Sequence, residues 1–142
     1  MLVKKADDYQ SWYIEEVDYG ILIDPWLDNK LNPYSSFFLQ RKRHRSHSLE
    51  EREIEKVKAI IITAPFADHL HVPSLKQLGS DKTIYSTETV RKILKKRNIN
   101  NLFKQIEDIN EIGPFSFSSF PAGFPYNRSA FSLLISNEDG KS

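Results

Sequence analysis

Three residues that could do metal or acid–base chemistry lie close together in the chain: Asp68, His69 and His71. A carboxylate and two imidazoles can bind a divalent cation, and an aspartate in such a cluster can also act as a general base. On extended backbone His69 and His71 would point the same way, whereas on a helix they would diverge. The alternative is an internal Asp–His hydrogen bond at a strand end, in which the carboxylate only fixes the imidazole tautomer.

The elements on either side would hold this cluster in a loop. The apolar run Ile60-Ile61-Ile62-Thr63 predicts a buried strand, which ends at Ala64-Pro65. A helix is predicted soon after the cluster, with Pro73 in its first turn and Leu75 and Leu78 three positions apart. This order is a common build for a metal or catalytic site, because the sheet fixes where the loop side chains lie.

This stretch resembles the metallo-β-lactamase superfamily, in which a Thr-His-x-His-x-Asp-His loop follows a buried strand and supplies the first metal ligands. Thr63, Asp68 and His69 match that pattern, whereas Ala64 and Phe66 occupy the two earlier histidine positions. The loop also resembles a bacterial and plant branch of the superfamily with the pattern Gln-x-x-x-Asp-His-x-His-x-x-(Thr/Ser)-Leu. The residues that match this second pattern are Asp68, His69, His71, Ser74 and Leu75.

The resemblance implies a role for each matching residue. In the superfamily the aspartate of the motif binds the second metal and orients the nucleophilic water, which implies Asp68 as the catalytic general base. Asp68, His69 and His71 are then the candidate metal ligands. Asp24 matches the strand-end aspartate that holds the metal loop by hydrogen bonds, and Thr63 is the second supporting residue. Asp24 could equally form an Asx-type turn that caps local amides.

A metal site built from these residues would be degraded. A third ligand of the first metal comes from a Gly-His-x motif in the superfamily, and here Phe124 stands in place of that histidine. A hydrolytic metal needs about three protein ligands and an open position for water. Oxygen and imidazole donors would suit one divalent metal, with no basis for choosing among zinc, manganese and iron. No bound metal at all is the other expectation.

Two functions of different classes are therefore expected. One is a hydrolase-like domain of the superfamily with a single reduced metal site, acting on an unknown small-molecule substrate. The other is a catalytically inactive domain of the same fold that binds a small ligand or a protein partner. The retained Asp24, Asp68, His69 and His71 favour the first function. The apolar Ala64, Phe66 and Phe124 favour the second, since the two phenylalanines could fill the space that a metal would leave.

The composition bounds the class of protein. A chain of 142 residues with 39% hydrophobic content predicts one domain over residues 1–142. The absence of cysteine excludes disulfides, zinc ribbons and thiol catalysis. The 20 basic and 19 acidic side chains leave a net charge of +1, which steers the chain neither to nucleic acid nor to membrane. With no long apolar run and no signal-peptide pattern, a cytoplasmic location is predicted, and self-association stays open.

The densest charge run is Arg41-Lys42-Arg43-His44-Arg45, which could neutralise several phosphates. It has no interleaved aromatic residue on which a base could stack, and acidic residues follow it from Glu50 onward. A solvated loop is the favoured interpretation. Nucleic-acid contact through Arg41 to Arg45 remains as a weaker alternative.

The rest of the chain predicts an α/β fold. Trp12–Val17 and Ile21–Asp24 form a predicted hairpin around Asp18-Tyr19-Gly20. A buried strand at Thr83-Ile84-Tyr85 precedes an amphipathic helix with Val90, Ile93 and Leu94 on one face. Together with the central strand and its helix, these elements alternate as βαβα. Two later strands are predicted at Phe115–Ser118 and Phe131–Ile135, from alternation of apolar and polar residues in the first.

The resemblance implies that this alternation belongs to a four-layer αββα sandwich made of two similar halves. The chain would cover the first half and the start of the second. Asp139-Gly140 is a strong hairpin signal with no strand after it. We therefore expect a domain that is incomplete at its C-terminus, with further metal ligands lying beyond the sequence in hand.

Overall fold

The computed structural model of the chain describes residues 1–31, 41–42 and 47–137. Its strands and helices have the following bounds: β1 Leu2–Lys5, β2 Trp12–Glu16, β3 Tyr19–Ile23, β4 Lys30–Leu31, β5 Arg41–Lys42, α1 Glu51–Lys56, β6 Val57–Ile61, α2 Val72–Leu78, β7 Thr83–Ser86, α3 Glu88–Lys96, β8 Phe103–Gln105, β9 Glu111–Ile112, β10 Phe115–Pro121 and β11 Phe131–Asn137. A single 3₁₀ turn spans Ile106–Asp108 within these residues. The larger sheet has the order β1-β2-β3-β6-β7-β8, the smaller has the order β11-β10-β9, and β4 pairs with β5.

The central strand β6 is buried on both faces, as its continuous apolar run predicts. Ile60 belongs to a core that α2 and α3 complete with Leu75 and Leu94. Ile61 belongs to a second core that the smaller sheet completes with residues such as Phe117. Helices therefore cover one face of the larger sheet and the smaller sheet covers the other, which gives three successive layers.

Strands β3, β6, β7 and β8 run parallel to one another. Their carboxyl ends therefore meet at one edge of the sheet, where ligand sites of open α/β sheets commonly lie. Asp24 follows β3 at this edge, and the loop of residues 63–71 follows β6 beside it. A hydrogen bond of 2.9 Å from Asp24 N to Ile61 O ties the two strand ends together.

The predicted β2–β3 hairpin exists, but its turn lies at Val17 and Asp18 rather than at Asp18-Tyr19-Gly20. Both turn residues have positive φ, 47° and 60°, as a two-residue type I′ connection requires. Gly20 is part of β3 instead. A Cβ at Gly20 would lie 3.0 Å from Lys56 O and from the Tyr13 ring, so close packing explains the glycine there.

Most other predicted elements are confirmed, and a few short ones escape the sequence pattern. The helices α2 and α3 and the strands β7, β10 and β11 lie where the patterns place them, whereas β6 begins at Val57, three residues before the predicted run, and ends at Ile61, before Ile62 and Thr63. The charged segment Glu51–Lys56, directly before β6, forms the helix α1, and a capping box between Glu50 and Glu53 stabilises its N-terminus. Most of the predicted irregular loop from Asn29 to Phe38, the residues Arg43 to Arg45 and the Asp139-Gly140 turn lie outside the described residues. None of the described helices is long and apolar enough to cross a membrane.

Candidate functional site

Asp24 leaves β3 in a left-handed conformation, with φ of 46°. A non-glycine residue rarely adopts this region, although Asp tolerates it better than most, and such strained residues cluster at functional sites. Backbone contacts hold the conformation. Asp24 N donates to Ile61 O at 2.9 Å, and Asp24 O accepts from the Ser11 hydroxyl at 2.7 Å. Pro25 follows and ends the strand.

The Asp24 carboxylate lies beneath the loop after β6 and holds it at three points. Its Oδ1 accepts from Thr63 N at 2.8 Å, and its Oδ2 accepts from the Thr63 hydroxyl at 2.5 Å. The same Oδ2 lies 2.8 Å from His69 Nδ1. The Asp24 side chain is only 6% exposed. The geometry is that of an aspartate that supports a loop, which is the role that the resemblance implies for Asp24, with Thr63 as the second supporting residue.

The contact with Asp24 fixes the orientation and tautomer of His69. A carboxylate can only accept, so His69 Nδ1 carries a proton and Nε2 is directed away from Asp24. Nε2 lies 3.9 Å from Asp68 Oδ2, and both of these side chains are 28% exposed. The hydrogen bond with Asp24 raises the pKa of His69, although burial acts in the opposite direction. Metal-binding histidines commonly have this arrangement, with the second ring nitrogen bonded to a carboxylate.

The loop that carries Asp68 and His69 is a tight turn. His69 N and Leu70 N both donate to Phe66 O, at 3.0 and 2.8 Å. From the other side, Gln10 Nε2 donates to Asp68 O, which joins the connection between β1 and β2 to this turn. Gln10 could not be predicted as part of the site, because nothing in its local sequence shows that it contacts a residue so far along the chain.

His71 lies apart from Asp68 and His69 in its contacts. Its Nδ1 is 2.7 Å from Ser74 Oγ, and its ring stacks on Trp26 with 3.9 Å between ring centroids. Ser74 Oγ in turn accepts from Leu27 N at 2.7 Å. The three residues join the first turn of α2 to the chain after β3. Of these partners, only Ser74 had a sequence signal, as a position of the resembled loop.

Three apolar residues occupy the positions where the superfamily has histidine ligands, and they differ in how exposed their side chains are. Ala64 is buried, with 3% exposure. The Phe66 ring lies edge-on to the rings of His69 and Tyr126, with centroids 6.3 and 5.1 Å apart. Phe124 is 95% exposed. Phe66 therefore packs beside His69, whereas the expectation that Phe124 fills the space left by a metal is wrong, because its side chain lies in solvent.

The described residues do not complete the donor set of a hydrolytic metal. Such a metal takes about three protein donors. Asp68 Oδ2 and His69 Nε2 are two candidate donors that face each other, but no group of three His, Cys, Asp or Glu side chains in the described ranges could hold a metal ion. The ligand set of Asp68, His69 and His71 stays a prediction: Asp68 and His69 face each other, whereas His71 contacts Ser74 through Nδ1 and stacks on Trp26.

Comparison with known proteins identifies the fold. A possible metal-dependent hydrolase from Veillonella parvula has 16% identity and a TM-score of 0.69, with 98% of this chain and 60% of that chain covered. An isothiocyanate hydrolase from Delia radicum gut bacteria has 16% identity and a TM-score of 0.66, with 97% and 59% covered. For the metallo-β-lactamase fold protein YhfI from Bacillus subtilis the values are 14%, 0.57, 95% and 56%.

The chain thus spans 56 to 60% of the length of these three solved structures. No curated protein matches the chain. A family model described as the beta-lactamase superfamily domain matches residues 19–126, which include Asp24, Thr63, Asp68 and His69. From this match and the shared fold, the chain belongs to the metallo-β-lactamase superfamily.

Proposed function

We propose that this chain is a hydrolase-like domain in which the superfamily's metal site is reduced to a single cation position around Asp68 and His69. The observation that carries the proposal is the support of His69 by the buried Asp24. Asp24 binds His69 Nδ1 at 2.8 Å and leaves Nε2 directed toward the Asp68 carboxylate. A histidine that served only as a core residue would not need its second ring nitrogen to face a partly exposed carboxylate.

Each residue has a distinct part in this proposal. Asp68 and His69 would be the two protein donors to a divalent cation, which would polarise a bound substrate or water. Asp24 and Thr63 position His69. Asp68 remains the proposed general base, because its carboxylate is accessible at the same edge of the sheet. Two protein donors alone do not complete a hydrolytic centre. The substrate class and the cytoplasmic location stay predictions.

A second candidate function is binding without hydrolysis, and the apolar ligand positions favour it. Ala64 is buried, and Phe66, which is 39% exposed, lies edge-on to His69, so apolar side chains occupy both positions and supply no metal donor. A domain of this kind would present Asp68 and His69 to a ligand as a carboxylate and an imidazole. No contact in the described part of the chain favours nucleic-acid binding, and most of the Arg41–Arg45 run lies outside it.

Metal content separates the two candidates. The protein is purified without chelator, its zinc, manganese and iron are measured by elemental analysis, and each metal is then added back during a thermal melt. Wild-type protein is expected to carry close to one metal per chain, and His69→Ala and Asp68→Asn to carry none. Asp108→Asn is the matched control, since it removes the charge of an exposed carboxylate elsewhere and should retain the metal.

Metal-free wild-type protein whose melting temperature does not change on addition of any of the three metals would overturn the proposal and leave the binding function. Metal that persists in both His69→Ala and Asp68→Asn would place the ion elsewhere and would also contradict it.

A further inference from the structure

A second cleft lies at the opposite end of the larger sheet from Asp24 and His69. It has a volume of about 440 Å³ and opens between α3 and the start of β8. Its floor is apolar: Ile84 and Leu94 are buried, and Leu102 at its side is 63% exposed. A cleft of this size can hold one or two side chains of a bound molecule.

The walls of this cleft carry positive charge. Its charged lining residues are Arg91 and Lys95, with no acidic residue among them. An adjoining cleft of about 350 Å³ shares the residues 99–101 and contributes Lys76, again without an acidic neighbour in its lining. Arg91 is held over the Phe103 ring at 5.8 Å, with Glu88 3.2 Å away. The combined surface therefore complements a ligand that is both apolar and acidic.

Strand β8 borders the cleft and is an edge of the larger sheet. It pairs with β7, and no strand within the described ranges pairs with its other side. Ile84 N donates to Leu102 O, so Leu102 faces β7. Because backbone groups alternate along a strand, Phe103 and Gln105 direct their N–H and C=O groups away from β7. An exposed strand edge of this kind can pair with an added strand.

We propose that the β8 edge is a docking site for an extended acidic segment of a partner protein. The segment adds as a strand to β8, which is a known mode of peptide recognition. One of its apolar side chains enters the cleft above Ile84 and Leu94. Its carboxylates lie against Lys95 and Arg91. The Lys95 ammonium is available for this contact because it forms no ion pair or side-chain hydrogen bond with the residues that the structure describes.

The test is an amide chemical-shift titration of the ¹⁵N-labelled chain with a blocked peptide of alternating Glu and Val. The shifts should concentrate at residues 91–95 and 102–105 and weaken at high salt, because the attraction is between surface charges. Lys95→Glu should weaken binding about fivefold or more. Lys96→Glu, which makes the same charge change on the same helix turn outside the cleft lining, should stay within about twofold of wild type.

Gln105→Pro tests the strand pairing independently of charge. Gln105 has φ of −75°, which proline adopts without strain, so the substitution removes the outward N–H and leaves the fold in place. We expect binding to weaken about three- to tenfold, as loss of one hydrogen bond predicts. Circular dichroism of each variant checks that it remains folded.

Several outcomes would overturn the proposal. One is that a Lys–Val peptide binds as tightly as the Glu–Val peptide. Another is that the amide shifts change outside residues 91–95 and 102–105. A third is that no shift changes at about 1 mM peptide, a concentration that would detect a weak complex. If hexanoate alone produces the same shifts and the peptide does not, the cleft is a small-carboxylate site. If the shifts instead follow protein concentration without peptide, the edge pairs with a second copy of the chain.

Discussion

At Asp24 a single side chain decides how the candidate site is arranged. Its carboxylate accepts hydrogen bonds from Thr63 N, the Thr63 hydroxyl and His69 Nδ1, and it is almost fully buried. Thr63 Oγ1 also lies 3.0 Å from His69 Nδ1, so Asp24 and Thr63 together set the orientation of His69. The strand pattern predicts that Asp24 ends β3, but its contact with His69 depends on residues that meet only in the folded chain.

Asp24→Asn should destabilise the fold by about 2 kcal/mol, because an amide has one acceptor oxygen and leaves a buried donor unsatisfied. Urea denaturation measures the change in free energy of unfolding. Asp28→Asn is the control, since Asp28 is exposed and, within the described part of the chain, its carboxylate accepts only from Lys30 N, at 3.3 Å. If the two variants are equally stable, the Asp24 network does not contribute as we describe.

Phe66→His should strengthen cation binding at the candidate site. The Phe66 ring lies 6.3 Å from the His69 ring, so an imidazole there would add a third donor beside Asp68 and His69. We expect binding of zinc to tighten at least about tenfold, or about 1.4 kcal/mol, measured by calorimetry. Phe66→Leu is the control that removes the ring without adding a donor. If the two variants bind zinc equally, Phe66 does not lie at the cation position.

At the scale of elements, the sequence predicts the longer helices and strands, whose residues show a regular apolar pattern. The apolar run of β6 and the spacing of Leu75 and Leu78 in α2 are each sufficient to locate an element. The three-residue β8 and two-residue β9 show too few positions for any periodicity. The helix α1 could not be predicted, because its sequence has five charged residues and Ile54 as its one apolar residue, which is too few to show a periodicity. The loop of the site was therefore predictable, but the surroundings that give it its contacts were not.

The packing of α2 on the sheet is a stability prediction. Leu75 is 1% exposed in the core beneath α2, so Leu75→Ala should cost about 3 kcal/mol through lost burial and a cavity. Leu134, which is 52% exposed on β11, is the matched control and should lose less than about 0.5 kcal/mol as Leu134→Ala. Urea midpoints of both variants give the comparison. A Leu75→Ala loss no larger than the control would mean that α2 contributes little to the core.

The end of α1 is joined to the β2–β3 hairpin by charge, and this contact predicts a pH dependence. Lys56 Nζ lies 2.6 Å from Glu15 Oε1, and hydrogen bonds from Lys56 and then Tyr13 lower the pKa of Glu15. A carboxyl with a lowered folded pKa stabilises the fold above its unfolded pKa of about 4.3. That stability is lost as the pH falls through the folded value.

We therefore expect wild-type protein to lose more stability than Glu15→Gln between about pH 5 and about pH 3, the window that the unfolded pKa sets. Urea midpoints measured across this range give the two slopes. Glu55→Gln is the control, since Glu55 is exposed on α1 and should keep the wild-type slope. Equal slopes for wild type and Glu15→Gln would contradict the expectation.

At the scale of the whole molecule, the two sheets share a core and meet near the candidate site. Tyr19 of the larger sheet packs edge-on against Phe115 of the smaller one, with centroids 6.5 Å apart. Phe131 N donates to Thr63 O at 3.1 Å, which joins β11 to the loop of the site. If residues 1–142 form one domain, as predicted, the two sheets should unfold together. A substitution that destabilises one sheet should then lower the stability of the other as well.

Phe117→Ala tests this coupling. Phe117 is 4% exposed in the core between the sheets, and its truncation should cost about 3–5 kcal/mol. Both tryptophans, Trp12 and Trp26, lie in the N-terminal part of the chain. If the sheets unfold together, tryptophan fluorescence and circular dichroism should show one shared, lowered urea midpoint. A fluorescence midpoint that does not change would show that the sheets unfold separately.

The parallel direction of β3, β6, β7 and β8 places the two proposed surfaces at opposite ends of the same strands. Asp24 and His69 follow the carboxyl ends, whereas the cleft beside Leu102 lies at the amino end of β8. The connections at one end can therefore change in length or sequence without rebuilding the other. For protein engineering, one of the two surfaces could therefore be redesigned to bind a new ligand. A fluorescent reporter attached at the other surface would then follow that binding.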